Sequence, residues 1–158
     1  MIHRRRRVSR AVGGESVPAE FFVDTSAWYP ALVRNHKDHE ALASALRERV
    51  TQGQRVVTTN LEVAETHALL LNRGGRVPAL NFVRTVHEPP ILVVESNREL
   101  EERAVALYLD KYHDKDFSLA DAVSFVVMKE RRMTDALTLD EHFVDAGFRV
   151  HPGRARRA

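Results

Sequence analysis

The chain has 158 residues, 44% of them hydrophobic and 29% charged, with no cysteine. That composition suits one soluble globular domain and excludes disulfides, thiolate metal sites and cysteine nucleophiles. No apolar run approaches the roughly 20 residues a membrane span needs, and a cysteine-free chain fits the reducing cytoplasm.

The net charge of +2 conceals an asymmetry. Five arginines, Arg4 to Arg7 and Arg10, crowd the first 14 residues without an acid, and Arg154, Arg156 and Arg157 do the same at the far end. Removing these eight from the 24 basic residues leaves 16 against 22 acids, a body of about −6. Residues 1–18 therefore read as a basic, disordered extension, 19–151 as the folded domain and 152–158 as a basic tail. No apolar stretch follows the first arginines, so they do not form a secretory signal.

The folded part begins with "EFFVD", a short apolar strand over residues 20–24 that ends on Asp24. A short helix follows from Ser26 to Leu32, and "HKDHEALASALRERV" gives a stronger one. "RVVTT" is the second strand, and Asn60 is expected to cap the helix "LEVAETHALLLNR", which Gly74 and Gly75 end. The helix "VPALNFVRTVH" and the strand "ILVVE" come next, then the helices "RELEERAVALYLDKY" and "LADAVSFVVMKER", the second capped by Ser118. "DALTLD" holds strand four, "EHFVDAG" a short helix and "FRV" strand five. Strands alternating with helices predict an α/β fold with a central, mainly parallel sheet of four to five strands. Ligands of such sheets gather beyond the carboxyl ends of the strands, where Asp24 and Asp140 stand.

Two further acids occupy helix positions that look apolar. At 100° per residue, Leu61, Ala64, Ala68 and Leu71 share a stripe that includes Glu65, with Glu62 at its border. Asp121 falls between Phe125 and Met128 on a helix apolar nearly all round. An ionised carboxylate buried alone costs several kcal/mol, so it must be neutralised, paired or bound to a cation. Singly, each acid has an ordinary use. Ser118 and Asp121 have capping-box spacing, Asp24 and Asp140 can cap helices, and Glu65 can pair with Arg55 or Arg73. Four together point to a cluster of oxygen ligands, which selects Mg²⁺ or Mn²⁺ over zinc and suits phosphodiester hydrolysis. Aspartyl-phosphate phosphatases want a second aspartate two residues after the first, and Ser26 stands there.

"FFVDTSAWYPAL", "TTNLEVAETHALLLNRGG", "FSLADAVSFVVMKE" and "ALTLDEHFVDAGF" resemble, in order, the motifs of PIN-domain nucleases, above all the VapC-type toxin ribonucleases of toxin–antitoxin systems. The resemblance spans roughly residues 20–150. It implies a three-layer α/β/α fold and a Mg²⁺- or Mn²⁺-dependent endoribonuclease that acts on RNA, is restrained by a cognate antitoxin protein, and can form a homodimer. It implies Asp24, Glu65, Asp121 and Asp140 as the catalytic and metal-binding acids, with Thr25, Ser26 and Thr138 as supporting hydroxyls. Asp116 is a substitute candidate that lies before the helix and equally suits a solvated loop charge. An RNA-processing nuclease without an antitoxin, and a silent RNA-binding module, are the other readings of the same motifs. His36 and His39, one turn apart, lack a third ligand nearby, and Trp28 and Tyr29 have a packing use besides stacking a base.

Overall fold

The computed structural model describes residues 16–153; the arginine-rich stretch over residues 1–15 and the tail over 154–158 lie outside the described residues. Five parallel strands, β1 (Glu20–Val23), β2 (Arg55–Thr59), β3 (Ile91–Val94), β4 (Asp135–Leu137) and β5 (Arg149–His151), form one sheet in the order β3-β2-β1-β4-β5. The helices are α1 (Thr25–Leu32), α2 (His39–Thr51), α3 (Asn60–Gly74), α4 (Arg76–Thr85), α5 (Arg98–Ala104), α6 (Leu119–Glu130) and α7 (His142–Asp145). A π-helical turn over Val105–Leu109 continues α5.

The strand period of two builds the three layers. Phe21 and Val23 of β1, Val56 of β2 and Leu137 of β4 pack with α1 to α4 on one face. Phe22, Val57 and Ala136 pack with α5, α6 and α7 on the other. This is the three-layer parallel arrangement expected from the strand–helix alternation. β1 is central, with Phe21, Phe22 and Val23 fully buried.

Two local expectations change. The cap of α3 is Thr59, whose hydroxyl accepts from the Glu62 N–H; Asn60 lies inside the helix, and its Oδ1 accepts from the Ser96 N–H at 2.8 Å. The buried side of α3 is Glu62, Val63, Thr66 and Leu70, whereas Ala64, Glu65, Ala68 and Leu71 are exposed. The apolar stripe therefore did not locate the inner face. Polar groups face inward on α3 because they satisfy each other: Thr66 donates to Thr25 Oγ1, which lies 2.7 Å from Glu62 Oε2. No helix of the described residues is long and apolar enough to cross a membrane.

Candidate metal centre

Parallel β1 and β4 are neighbours, so the loops leaving their carboxyl ends meet. Asp24 follows β1 directly and is 4% exposed. Asp140 lies three residues beyond the end of β4, and its backbone N–H donates to Thr138 Oγ1 at 2.9 Å. Ser26 ties the two loops together. Its hydroxyl donates to Asp24 Oδ1 at 2.9 Å, accepts from the Leu139 N–H at 2.8 Å and sits 3.1 Å from Thr138 Oγ1. Thr25 turns away from these groups to Glu62.

Asp121 comes from the amino end of α6, which a parallel crossover delivers to the same sheet edge. The Ser118 hydroxyl accepts from the Asp121 N–H, and the Asp121 carboxylate accepts from the Ser118 N–H at 3.1 Å. The capping box is therefore real, and the same carboxylate also faces the cluster. One oxygen each of Asp121 and Asp140 and one nitrogen of His142 lie within 4.8 Å of one another. Glu65 is exposed, yet its carboxyl feels the charges of this group. Partial burial, then the charges of Asp121 and Asp140, raise its pKa. Neither arginine considered for Glu65 pairs with it: Arg55 bonds Glu20, and Arg73 lies over the Tyr29 ring.

The electrostatics are those of crowded carboxylates. Burial, followed by the Glu62 charge, pushes Asp24 well above the usual aspartate range, although the Ser26 and Thr138 hydroxyls oppose this. Burial pushes Glu62 up to about 7. Among the described residues these buried acids are accompanied by hydroxyls and not by a lysine or arginine, an arrangement that a divalent ion would complete. The donor set is oxygen with one imidazole, and it fits such an ion.

Sequence reasoning missed two residues. Glu62 is 2% exposed and bonded to Thr25 and Ser124. His142 touches both Asp121 and Asp140; its place two residues after Asp140 was the available signal. The remaining candidates lie apart. Asp116 is exposed, His36 and His39 bond the Asp38 N–H and the Pro30 carbonyl, and Trp28 is buried against Phe82 with its Nε1 donating to Thr58.

Comparison with known proteins decides the family. The PIN domain model matches residues 21–149. The chain belongs to the PIN-domain family. Within this nuclease family, it is 32% identical over 127 residues to the 23S rRNA-specific endonuclease VapC20 of Mycobacterium tuberculosis, covering 80% of this chain and 94% of that protein. The crystal structure of VapC20, described as a Sarcin-Ricin loop cleaving toxin, superposes with a TM-score of 0.74 at 28% identity, over 81% of this chain and 95% of that one. FitAcB from Neisseria gonorrhoeae superposes with a TM-score of 0.58 at 18% identity, over 82% and 95%, and shares the PIN fold. The expectation of a PIN-domain ribonuclease, drawn from four motifs, therefore holds at the level of family and fold.

Proposed function

We propose that this PIN-domain chain is a Mg²⁺- or Mn²⁺-dependent endoribonuclease and the toxin of a toxin–antitoxin pair in the cytoplasm. The observation that carries the reading is the acidic edge beyond β1 and β4: Asp121 and Asp140 lie together with His142, Asp24 feels the charge of Asp140, and Glu65 feels the charges of Asp121 and Asp140. Asp24, Asp121 and Asp140 would hold the ion, and Glu65 would complete the acidic rim. When bound, a divalent ion supplies positive charge to the phosphate and makes water easier to deprotonate.

The chain's own residues then have definite tasks. Ser26 and Thr138 hold Asp24 in one rotamer and keep the β1 and β4 loops in register. Glu65, with its raised pKa, would accept a proton from the attacking water. An open cleft of about 590 Å³ adjoins the site through Thr138 and Asp140. The name of the VapC20 relative makes ribosomal RNA the first substrate to try. Leu32, Leu71 and Val77, 43%, 45% and 67% exposed on α1, α3 and α4, are apolar side chains that an antitoxin segment would cover. An arginine or lysine from that segment would neutralise the acids and compete with the ion.

The test is to induce the chain and its Asp24→Asn variant separately in a growing host, and to incubate both proteins with ribosomes, with and without EDTA. Growth arrest and a discrete RNA cut by the parent alone, abolished by EDTA, are expected. Equal growth with soluble, abundant protein would remove the toxin reading. Intact RNA under every metal would remove the nuclease reading.

A further inference from the structure

The four-acid reading has no use for His142, yet this side chain stands inside the cluster. Its Nδ1 is 3.0 Å from Asp121 Oδ2 and 3.5 Å from Asp140 Oδ1. Two ligands each about 2.1 Å from one ion are about 3.0 Å apart across an octahedral edge and about 3.4 Å apart across a tetrahedral one. Both His142 contacts are close to this range, the shorter also serving as a hydrogen bond without an ion, and the three atoms lie within 4.8 Å of one another.

The ring is also held in place. The His142 backbone N–H donates to Asp140 Oδ1 at 2.9 Å, which fixes the residue beside one acid. The Phe117 ring packs edge-on against the imidazole at 5.2 Å between centroids. Asp121 is anchored in turn by the Ser118 N–H. Ligand and neighbours are set before any ion arrives, the arrangement that lowers the cost of binding.

Imidazole discriminates among ions in a way carboxylates do not. Carboxylate and water ligands suit Mg²⁺, Ca²⁺ and Mn²⁺, whereas imidazole favours the transition series, and Mg²⁺ is reluctant to exchange its water for nitrogen. We propose that His142 coordinates the metal directly through Nδ1 and sets the preference of the site towards Mn²⁺ and against Mg²⁺. This rests on the metal site of the proposed function, but not on its RNA substrate or on toxicity.

Electron spin-echo envelope modulation of Mn²⁺ bound to the full chain tests it without any activity measurement. A directly coordinated nitrogen is expected, changing to the ¹⁵N pattern when histidine alone is ¹⁵N-labelled and vanishing in His142→Gln. In calorimetry, His142→Gln should weaken Mn²⁺ binding by about tenfold or more and Mg²⁺ binding by less than about threefold. Mn²⁺ bound without nitrogen coupling, coupling that survives His142→Gln, or equal losses for both ions would each overturn the proposal while leaving the acid site standing. If no Mn²⁺ binds the unmutated chain, the metal centre falls as well. The nitrogen measurement on the unmutated chain does not depend on how the variant folds.

Discussion

Glu62 Oε2 accepts from both the backbone N–H and the hydroxyl of Thr25, at 2.8 and 2.7 Å, immediately behind Asp24. Its other oxygen lies 3.1 Å from Ser124 Oγ, which is also 2.8 Å from the Ala120 carbonyl. Ser124 has one proton and cannot donate to both. The contacts close if Glu62 is protonated on Oε1 and donates to Ser124, which donates onward to Ala120. A pKa pushed up to about 7 by burial agrees with this proton count. Glutamine reproduces the neutral acid, with its oxygen towards Thr25 and its amide towards Ser124. In EDTA at pH 8, Glu62→Gln should therefore melt no lower than the parent, whereas Glu62→Ala should lose about 1–3 kcal/mol by leaving the buried Thr25 N–H without its acceptor. A Gln variant as unstable as the Ala variant would show that the charged form is the one the fold requires.

This pair also marks where the sequence was legible. Alternating apolar blocks such as Phe21-Phe22-Val23 made the strands readable, and the capping spacing of Ser118 and Asp121 placed the start of α6. Asp24 and Asp140 were found at strand ends of one parallel sheet, Asp121 on an apolar helix face, and the PIN-like motifs named all three. The inner face of α3 was not readable, since hydrophobicity ranks Leu71 above Glu62 and cannot see that Glu62, Thr66 and Thr25 satisfy one another. Glu65 was chosen by its motif and for burial it does not have; what links it to Asp121 and Asp140 is the effect of their charges on its carboxyl. His142 escaped because one histidine beside a helix start carries no pattern of its own.

Glu65 and Glu62 should separate cleanly. Glu65 is exposed and faces the acids, so Glu65→Gln should change stability by no more than about 0.5 kcal/mol. Its loss in RNA cleavage should be on the order of 10²-fold or more, as for other groups that move a proton in the transition state. Side-by-side kcat values and melts for Glu65→Gln and Glu62→Gln decide the point. Parent-level cleavage by Glu65→Gln would take it out of the chemistry.

Asp24→Asn and Asp121→Asn should both abolish cleavage but differ in metal-free stability. Asp24 is buried with a strongly raised pKa and no cation, so the neutral amide should hold or raise Tm. Asp121 also completes the capping box and bonds His142, so Asn there should cost about 0.5–1 kcal/mol. Thermal melts in EDTA would show it, and matching Tm shifts for the two variants would contradict the distinction.

Removing the Ser26 hydroxyl tests positioning. Ser26→Ala deletes the donor to Asp24 and the acceptor for the Leu139 N–H in one step. Metal affinity should fall about 10–100-fold, as when a group orienting a ligand is lost. Saturating Mn²⁺ should restore most of kcat, because the ligands themselves remain. A kcat that stays low at saturation would give Ser26 a part in the reaction itself.

The pH dependence of stability has a sign that follows from these acids. Glu62 is raised from 4.5 to about 7, and Asp24 is raised well above 3.8, in each case chiefly by burial. Each keeps its proton in the folded chain after the unfolded chain has released it, so its contribution is complete below the unfolded value and lost as pH rises through the folded one. His142 acts in the same direction: burial opposes its charge, but the hydrogen bond to Asp121 and the neighbouring carboxylates outweigh it and raise its pKa. Glu20 and Asp135 run the other way. Burial opposes their ionisation, but bonds to Arg131 and Arg55, and to Thr134, His151 and Arg149, hold them low. Their contribution is present above the unfolded pKa and lost as pH falls below it. Without metal, Tm should therefore peak near pH 5 and decline by several degrees between pH 6 and 8. A divalent ion binds only ionised carboxylates, so Mn²⁺ should raise Tm more at pH 8 than at pH 6 and offset the decline. Melts across pH 4 to 9, in EDTA and in millimolar Mn²⁺, supply both curves. A metal-free profile flat from pH 6 to 8 would mean that Asp24 and Glu62 ionise at no cost to the fold, and the strained apo centre described here would not exist.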